Sequence, residues 1–197
     1  MSVTQIVTVA VLGVLVLWLL AAYNRMVRSR NEIGNAFAQI DVQLKRRHDL
    51  IPNLVEVARK YVQHERDTLE AVIAARNDAS RATDVARAKP ADGARIDALS
   101  GAQSALTGML GRLMAVVEAY PALKADATLR ELAEELNHTE NRVAFARQAF
   151  NDVVLDYNNA AQQVPTNVVA ALFSFKPAAM LQATVTEAER AAVKVAL

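Results

Sequence analysis

The sequence predicts an all-α protein: an N-terminal transmembrane helix, then a long antiparallel up-and-down four-helix bundle with a short C-terminal segment. Three observations predict it. Ser2 to Asn24 carry no charged side chain. Farther on, a seam recurs at alternating spacings of three and four: Leu129, Leu132, Leu136, Thr139, Val143, Ala146, Phe150, Val153, Tyr157, Ala160 and Val164. That is the 3.5-residue period of a helix whose apolar stripe faces other helices. Finally, hydrophobic residues make up 53% of the chain and aromatics only 5%, with 6 glycines and 5 prolines, a composition that suits helices better than sheets. A helix from Leu129 to Val164 is roughly 54 Å long, and it needs partners of similar length to bury its stripe.

The N-terminal run comes first. Ile6 to Ala22 is apolar apart from Thr8. With Val3, Thr4 and Gln5 it reaches about 20 residues, the length that spans a bilayer. Ile6, Val9, Leu12, Val16, Trp18 and Leu20 are its expected membrane-spanning side chains. No basic residue opens the run, and Leu19 and Leu20 stand where a signal-peptide cleavage site needs small side chains. A retained single anchor is therefore expected over 1–24. Arg25, Arg28 and Arg30 follow it directly. By the positive-inside rule they place the rest of the chain in the cytoplasm and the N-terminus outside.

The helical domain is expected over 25–177 and a tail over 178–197. Met26, Ile33, Phe37, Ile40 and Leu44 continue the period out of the membrane. Pro52 is read as a break, because proline disfavours helix at the preceding residue and clashes with the turn before it. Asp49 then caps a second helix, from about Leu50 to Ala88, whose stripe includes Leu54 and thins to alanine beyond Ala75. That second half is expected to be less well buried. Lys89-Pro90-Ala91-Asp92-Gly93 is a turn by composition. The third helix, about Ala94 to Ala119, has Ile96, Leu99, Gln103, Leu106, Leu110, Leu113 and Val117 on its seam. Its Gly101, Gly108 and Gly111 are read as points of close helix approach. Tyr120-Pro121 ends it, Ala122 to Asp126 form a link, and Asp126 caps the fourth helix. Pro165 stops that helix. A last, weak helical segment is expected around Ala178 to Ala192, and the remaining residues are undecided between strand, helix and disorder. The core residues expected across the domain are Phe37, Ile40, Leu54, Leu106, Leu113, Leu132, Leu136, Val143, Phe150 and Tyr157.

Composition narrows function more by exclusion than by assertion. Net charge is +1, from 22 basic and 21 acidic residues, so there is no overall pull toward nucleic acid. With no cysteine, disulfides, thiolate zinc sites and a cysteine nucleophile are ruled out. His48, His64 and His138 are the three histidines. A Glu-x-x-His pair occurs once, at Glu135 and His138, where a di-iron bundle needs two. Phosphate-binding glycine loops and nucleophile elbows are absent. No enzyme, cofactor, metal or small-molecule substrate is therefore expected. Gln103 and Thr139 interrupt the apolar seams; they are either a buried polar layer that fixes register or edge residues. Two interaction candidates stand out. Lys45, Arg46 and Arg47, with Asp49 and Asn53, lie about 30 Å beyond the span on a straight helix. That is outside the range of headgroup attraction, so they serve a partner protein or form ion pairs at a bundle end. Leu172, Phe173 and Phe175 either cap the bundle or form an exposed contact patch.

Several motifs resemble the LemA family. They are Gln43-Leu44-Lys45-Arg46-Arg47-His48-Asp49-Leu50-Ile51-Pro52-Asn53-Leu54-Val55-Glu56, Glu118-Ala119-Tyr120-Pro121-Ala122-Leu123-Lys124, Thr139-Glu140-Asn141-Arg142, Phe150-Asn151-Asp152, Pro165-Thr166-Asn167 and Phe173-Ser174-Phe175-Lys176-Pro177. With Tyr23-Asn24, Glu134-Glu135-Leu136 and Tyr157-Asn158 they cover, in order, about Tyr23 to Pro177. The resemblance implies a long, twisted up-and-down helical bundle behind an N-terminal anchor. It also implies a role in the bacterial envelope and, through a related protein in magnetosome-forming bacteria, in membrane organelle formation. The expected function is a non-enzymatic scaffold or adaptor at the membrane, with an unidentified protein partner or copies of itself. The alternatives are membrane remodelling and a subunit accessory to a membrane protease.

Overall fold

The computed structural model describes residues 2–62 and 64–182. Its elements are helical: α1 (Val3–Arg59), α2 (Arg66–Ala88), α3 (Gly93–Ala119), α4 (Pro121–Lys124), α5 (Ala127–Gln162) and α6 (Thr166–Leu172). Among the described residues there is no strand. α1 is a single helix of 57 residues, opened by a capping box between Ser2 and Gln5. Its first part is long and apolar enough to cross a membrane. Ile6, Val9, Leu12, Val16, Trp18 and Leu20 are exposed there; among the described residues none packs on α1 before Leu19.

The break expected at Pro52 does not occur. α1 runs through Pro52 to Arg59, and α2 begins at Arg66. A proline inside a helix removes the donor to the carbonyl four residues back. Here that carbonyl is His48, and Arg76 Nε of α2 donates to it at 2.9 Å. A donor from another helix thus replaces the missing one, while Ile51, Leu54 and Val55 are buried on either side. Asp49 consequently caps nothing and lies on the exposed face of α1.

α1 packs against α5 and α2, and α2 against α3. The α1–α5 pair runs antiparallel, as Phe37 meets Phe150 edge-on at 5.9 Å and Arg47 meets Glu140 at 2.6 Å. The far half of α2 is better buried than its composition suggests. Ala79, Thr83 and Ala86 are all buried, because small side chains let the helix approach its neighbours closely. The glycines of α3 do the opposite of what is expected. A Cβ added at Gly101, Gly108 or Gly111 meets nothing within 4 Å, so among the described residues no helix approaches there.

Asp126 caps α5 by accepting from the Leu129 amide at 2.9 Å, and Tyr61 donates to its other oxygen. The preceding link holds the short helix α4. α5 ends at Gln162, so Val164, expected on the seam, is 81% exposed. Straight-helix drift moves the seam late in α5: Val154 is fully buried, and Val153 only partly. After α6, Ser174 takes a left-handed φ of 56° and reverses the chain. Residues 175–182 return along α5 without helical structure, correcting the helical segment expected from Ala178 over its described part. Asn158 holds Ala178 through both its amide groups, and Asn151 holds Leu181 in the same way. The rest of that segment lies outside the described residues.

Of the ten expected core residues, nine are buried and Leu132 is partly so. They fall into two clusters. The one nearer the apolar end of α1 contains Phe37, Ile40, Leu44, Ile96, Leu99, Val143, Phe150 and Tyr157. The farther one contains Ile51, Leu54, Leu69, Val72, Leu106, Leu113, Leu129 and Leu136.

Candidate functional site

What separates the two apolar clusters is a layer of polar side chains. On α1 the change falls between Leu44 and Ile51, at Arg47 and His48. On α2 it falls between Ala79 and Ala86, at Thr83; on α3, between Leu99 and Leu106, at Gln103. On α5 it falls between Leu136 and Val143, at Thr139. All five side chains are buried. Each of the four longest helices exchanges an apolar seam residue for a polar one at the same level.

Arg47 is the centre. Its Nη1 donates to Gln103 Oε1 at 2.7 Å, its Nη2 donates to Thr107 Oγ1 at 2.8 Å, and its Nε lies 2.6 Å from Glu140 Oε1. The Nε–Glu140 contact is an ion pair whose hydrogen is poorly aligned. Burial lowers the Arg47 pKa below its ordinary value and Glu140 pulls it back; the guanidinium stays protonated at neutral pH. Because Arg47 only donates, Gln103 must turn its carbonyl oxygen toward it. The Gln103 amide then faces His48 Nε2 at 3.3 Å and Thr83 Oγ1 at 3.5 Å. His48 Nε2 is therefore the acceptor, and the ring is the neutral form protonated at Nδ1. Its pKa is pushed down to about 4, first by burial and then by Arg47 and Arg76.

The hydroxyls of the layer are already committed. Thr83 donates to the Ala79 carbonyl, Thr107 to that of Gln103 and Thr139 to that of Glu135. On one side lies a cleft of about 210 Å³ that includes Asp41, Lys45, Arg76 and Asp84. On the other is one of about 250 Å³ that includes Ser100, Glu140, Asn141 and Arg147. Among the described residues no group of three His, Asp or Glu side chains converges as metal ligands would. The layer's chemistry is thus hydrogen bonding and charge pairing between helices.

The structure divides the sequence's first interaction candidate. Lys45 and Asn53 are exposed. Arg46 pairs with Glu135 at 2.5 Å and Asp49 lies 3.9 Å from Arg76. Arg47 faces inward. One signal marks it in the sequence: Phe37, Ile40, Leu44, Arg47, Ile51 and Leu54 keep the three–four spacing, so Arg47 is a seam residue. Arg76, which closes the gap left by Pro52, carries no such signal. The second candidate stays together. Leu172 and Phe173 are exposed and Phe175 is half-buried. Tyr23 of α1 packs on the Phe173 ring at 4.7 Å and on Phe175 at 5.8 Å.

An apolar N-terminal helix running unbroken into packed helices defines an all-α protein of the membrane-associated kind. The chain belongs to the LemA family, whose model matches residues 36–197. It is similar to the magnetosome protein MamQ of Magnetospirillum gryphiswaldense, 27% identical over 80% of this chain and 64% of that protein. A second magnetosome protein MamQ, from Paramagnetospirillum magneticum, is 36% identical over 43% of this chain and 31% of its own length. The protein LemA of Metamycoplasma hominis is 25% identical over 83% of this chain and 70% of its own. The chain thus spans less than two-thirds of the magnetosome relatives it matches.

Proposed function

We propose that the protein is a non-enzymatic, single-pass scaffold of a bacterial inner membrane. Its antiparallel four-helix bundle stands in the cytoplasm and offers an outer face to a protein partner or to further copies of itself. The observation that carries this reading is the single helix α1, which passes from the apolar span through Pro52 to the far core without a break. A continuous helix fixes the height and orientation of whatever the bundle carries. The polar layer adds to this: a one-residue slip of any long helix would strand Arg47 or Gln103 against apolar neighbours, so the layer specifies register.

Photo-cross-linking in intact cells tests the scaffold reading, with the reactive group placed singly at Lys45, Asn53 or Phe145, all exposed. Discrete adducts are expected, the same ones from neighbouring positions. If no position gives a discrete adduct, the scaffold reading fails. Orientation is tested on the cysteine-free chain by Ser80→Cys. A membrane-impermeant thiol reagent should label it only after the inner membrane is broken; labelling in intact cells would put the bundle outside. The similarity to magnetosome proteins favours a second reading, membrane remodelling. Electron microscopy of the full chain in vesicles separates the two: curved or coated membranes support remodelling, and smooth vesicles count against it.

A further inference from the structure

α6 is apolar on both sides. Val169 and Ala170 are buried against α1 and α5, yet Val168 and Leu172 point outward at 61% and 66% exposure, with Val164 at 81% beside them. After Thr166 and Asn167 the helix is apolar on every side, which suits an apolar environment, and no part of the described chain covers this ridge. Its position says what does. Tyr23, which packs on Phe173, is followed by Asn24, where the uncharged stretch of α1 ends. Ala22 is the first buried side chain of α1 among the described residues, and before Leu19 the helix is exposed. The ridge therefore lies level with the mouth of the span. Trp18 and Tyr23, the residue types that favour the membrane–water boundary, stand at this end of the apolar run, and Phe173 and Phe175 pack on Tyr23. Charge agrees. There is no acidic residue in positions 1–31, nor between Asp156 and Glu187, whereas Arg25, Arg28, Arg30 and Lys176 fall in those stretches.

We propose that α6 is a second membrane contact: Val164, Val168 and Leu172 sit in the headgroup–acyl boundary of the leaflet that α1 leaves, and the arginines after the span meet anionic headgroups. The inference rests on the reading of α1 as a membrane span. Its consequence is that the bundle is held at two points. A single helix leaves rotation about its own axis free, whereas a ridge seated in the lipid fixes which face of the bundle points away from the bilayer.

The test uses the full chain in vesicles of phosphatidylcholine and phosphatidylglycerol. A fluorescent thiol label is placed singly by Val168→Cys or Leu172→Cys, with Asn53→Cys as the reference and Trp18, the chain's one tryptophan, as an internal probe of the span. Lipids carrying a shallow nitroxide should quench Trp18 and the labels at 168 and 172. Quenching at 168 and 172 should exceed that at 53 by about threefold or more, as expected for side chains within 5–10 Å of the acyl boundary. Leu172→Asp, at an exposed position, should reduce the quenching of the 168 label. Labels at 168 and 172 open to aqueous iodide and untouched by lipid nitroxide, with Trp18 quenched, would overturn the second contact and leave the span intact. Labels shielded from both quenchers would mean a second copy covers the ridge, which also overturns it. If Trp18 itself escapes lipid quenching, the span reading fails and takes this inference with it.

Discussion

Acid should weaken the fold through His48. In the folded chain its pKa is about 4, against 6.5 for an ordinary histidine. Between those values the unfolded chain binds more protons than the folded one. Stability therefore falls as pH drops from 6.5 toward 4, and this group removes nothing further below that. The full effect is about 3 kcal/mol, and about 2 kcal/mol of it is lost by pH ~5. The geometry gives the same sign. A proton on Nε2 would face the Gln103 amide at 3.3 Å, and Gln103 cannot turn round without facing its own amide to Arg47. Acid acts on more than one residue type, so the test is a difference. His48→Gln keeps an acceptor for Gln103 and does not titrate. Urea unfolding of the full chain in a non-ionic detergent, followed by circular dichroism, gives stability for both proteins between about pH 7.5 and 5. Relative to His48→Gln, the unchanged protein should lose about 2 kcal/mol over that range. A difference constant to within about 0.5 kcal/mol would refute the buried, neutral histidine.

Other substitutions test the remaining parts. Arg76→Met should cost about 1–3 kcal/mol by leaving the His48 carbonyl without a donor. In a Pro52→Ala background, where the helix supplies its own donor, the same change should cost clearly less; equal costs in the two backgrounds would sever Arg76 from Pro52. Gly108→Ala and Gly111→Ala should each raise stability by roughly 0.5–1 kcal/mol, since both sites are exposed and empty around the new methyl. A loss on thermal unfolding would show that a partner helix approaches there after all.

Much of this architecture is legible in the amino-acid sequence because seam spacing is a property of each helix by itself. The α3 seam from Ile96 to Val117 is buried residue for residue. What escaped depends on pairs distant in sequence. Pro52 reads as a stop because the local rule sees only the lost donor, and Arg76 stands 24 residues later in a stretch with no special pattern. Arg47 reads as one of three surface cations because charge is the louder signal, although the period alone puts it inside. Its partners Gln103, Thr107 and Glu140 lie on two other helices, so the layer becomes visible only once the helices are aligned. The glycines of α3 show the reverse error. A residue type that permits close approach does not demand it.

The most direct test of the account is the distance across Pro52. Spin labels placed by Glu32→Cys and Glu56→Cys stand at two exposed positions of α1 and can be measured by pulsed electron resonance in lipid nanodiscs. An unbroken helix predicts one narrow distribution near about 36 Å. A helix that turns back at Pro52 would bring the labels to about 24 Å or spread them broadly, and the rigid connection between the apolar N-terminal run and the helical body would be wrong.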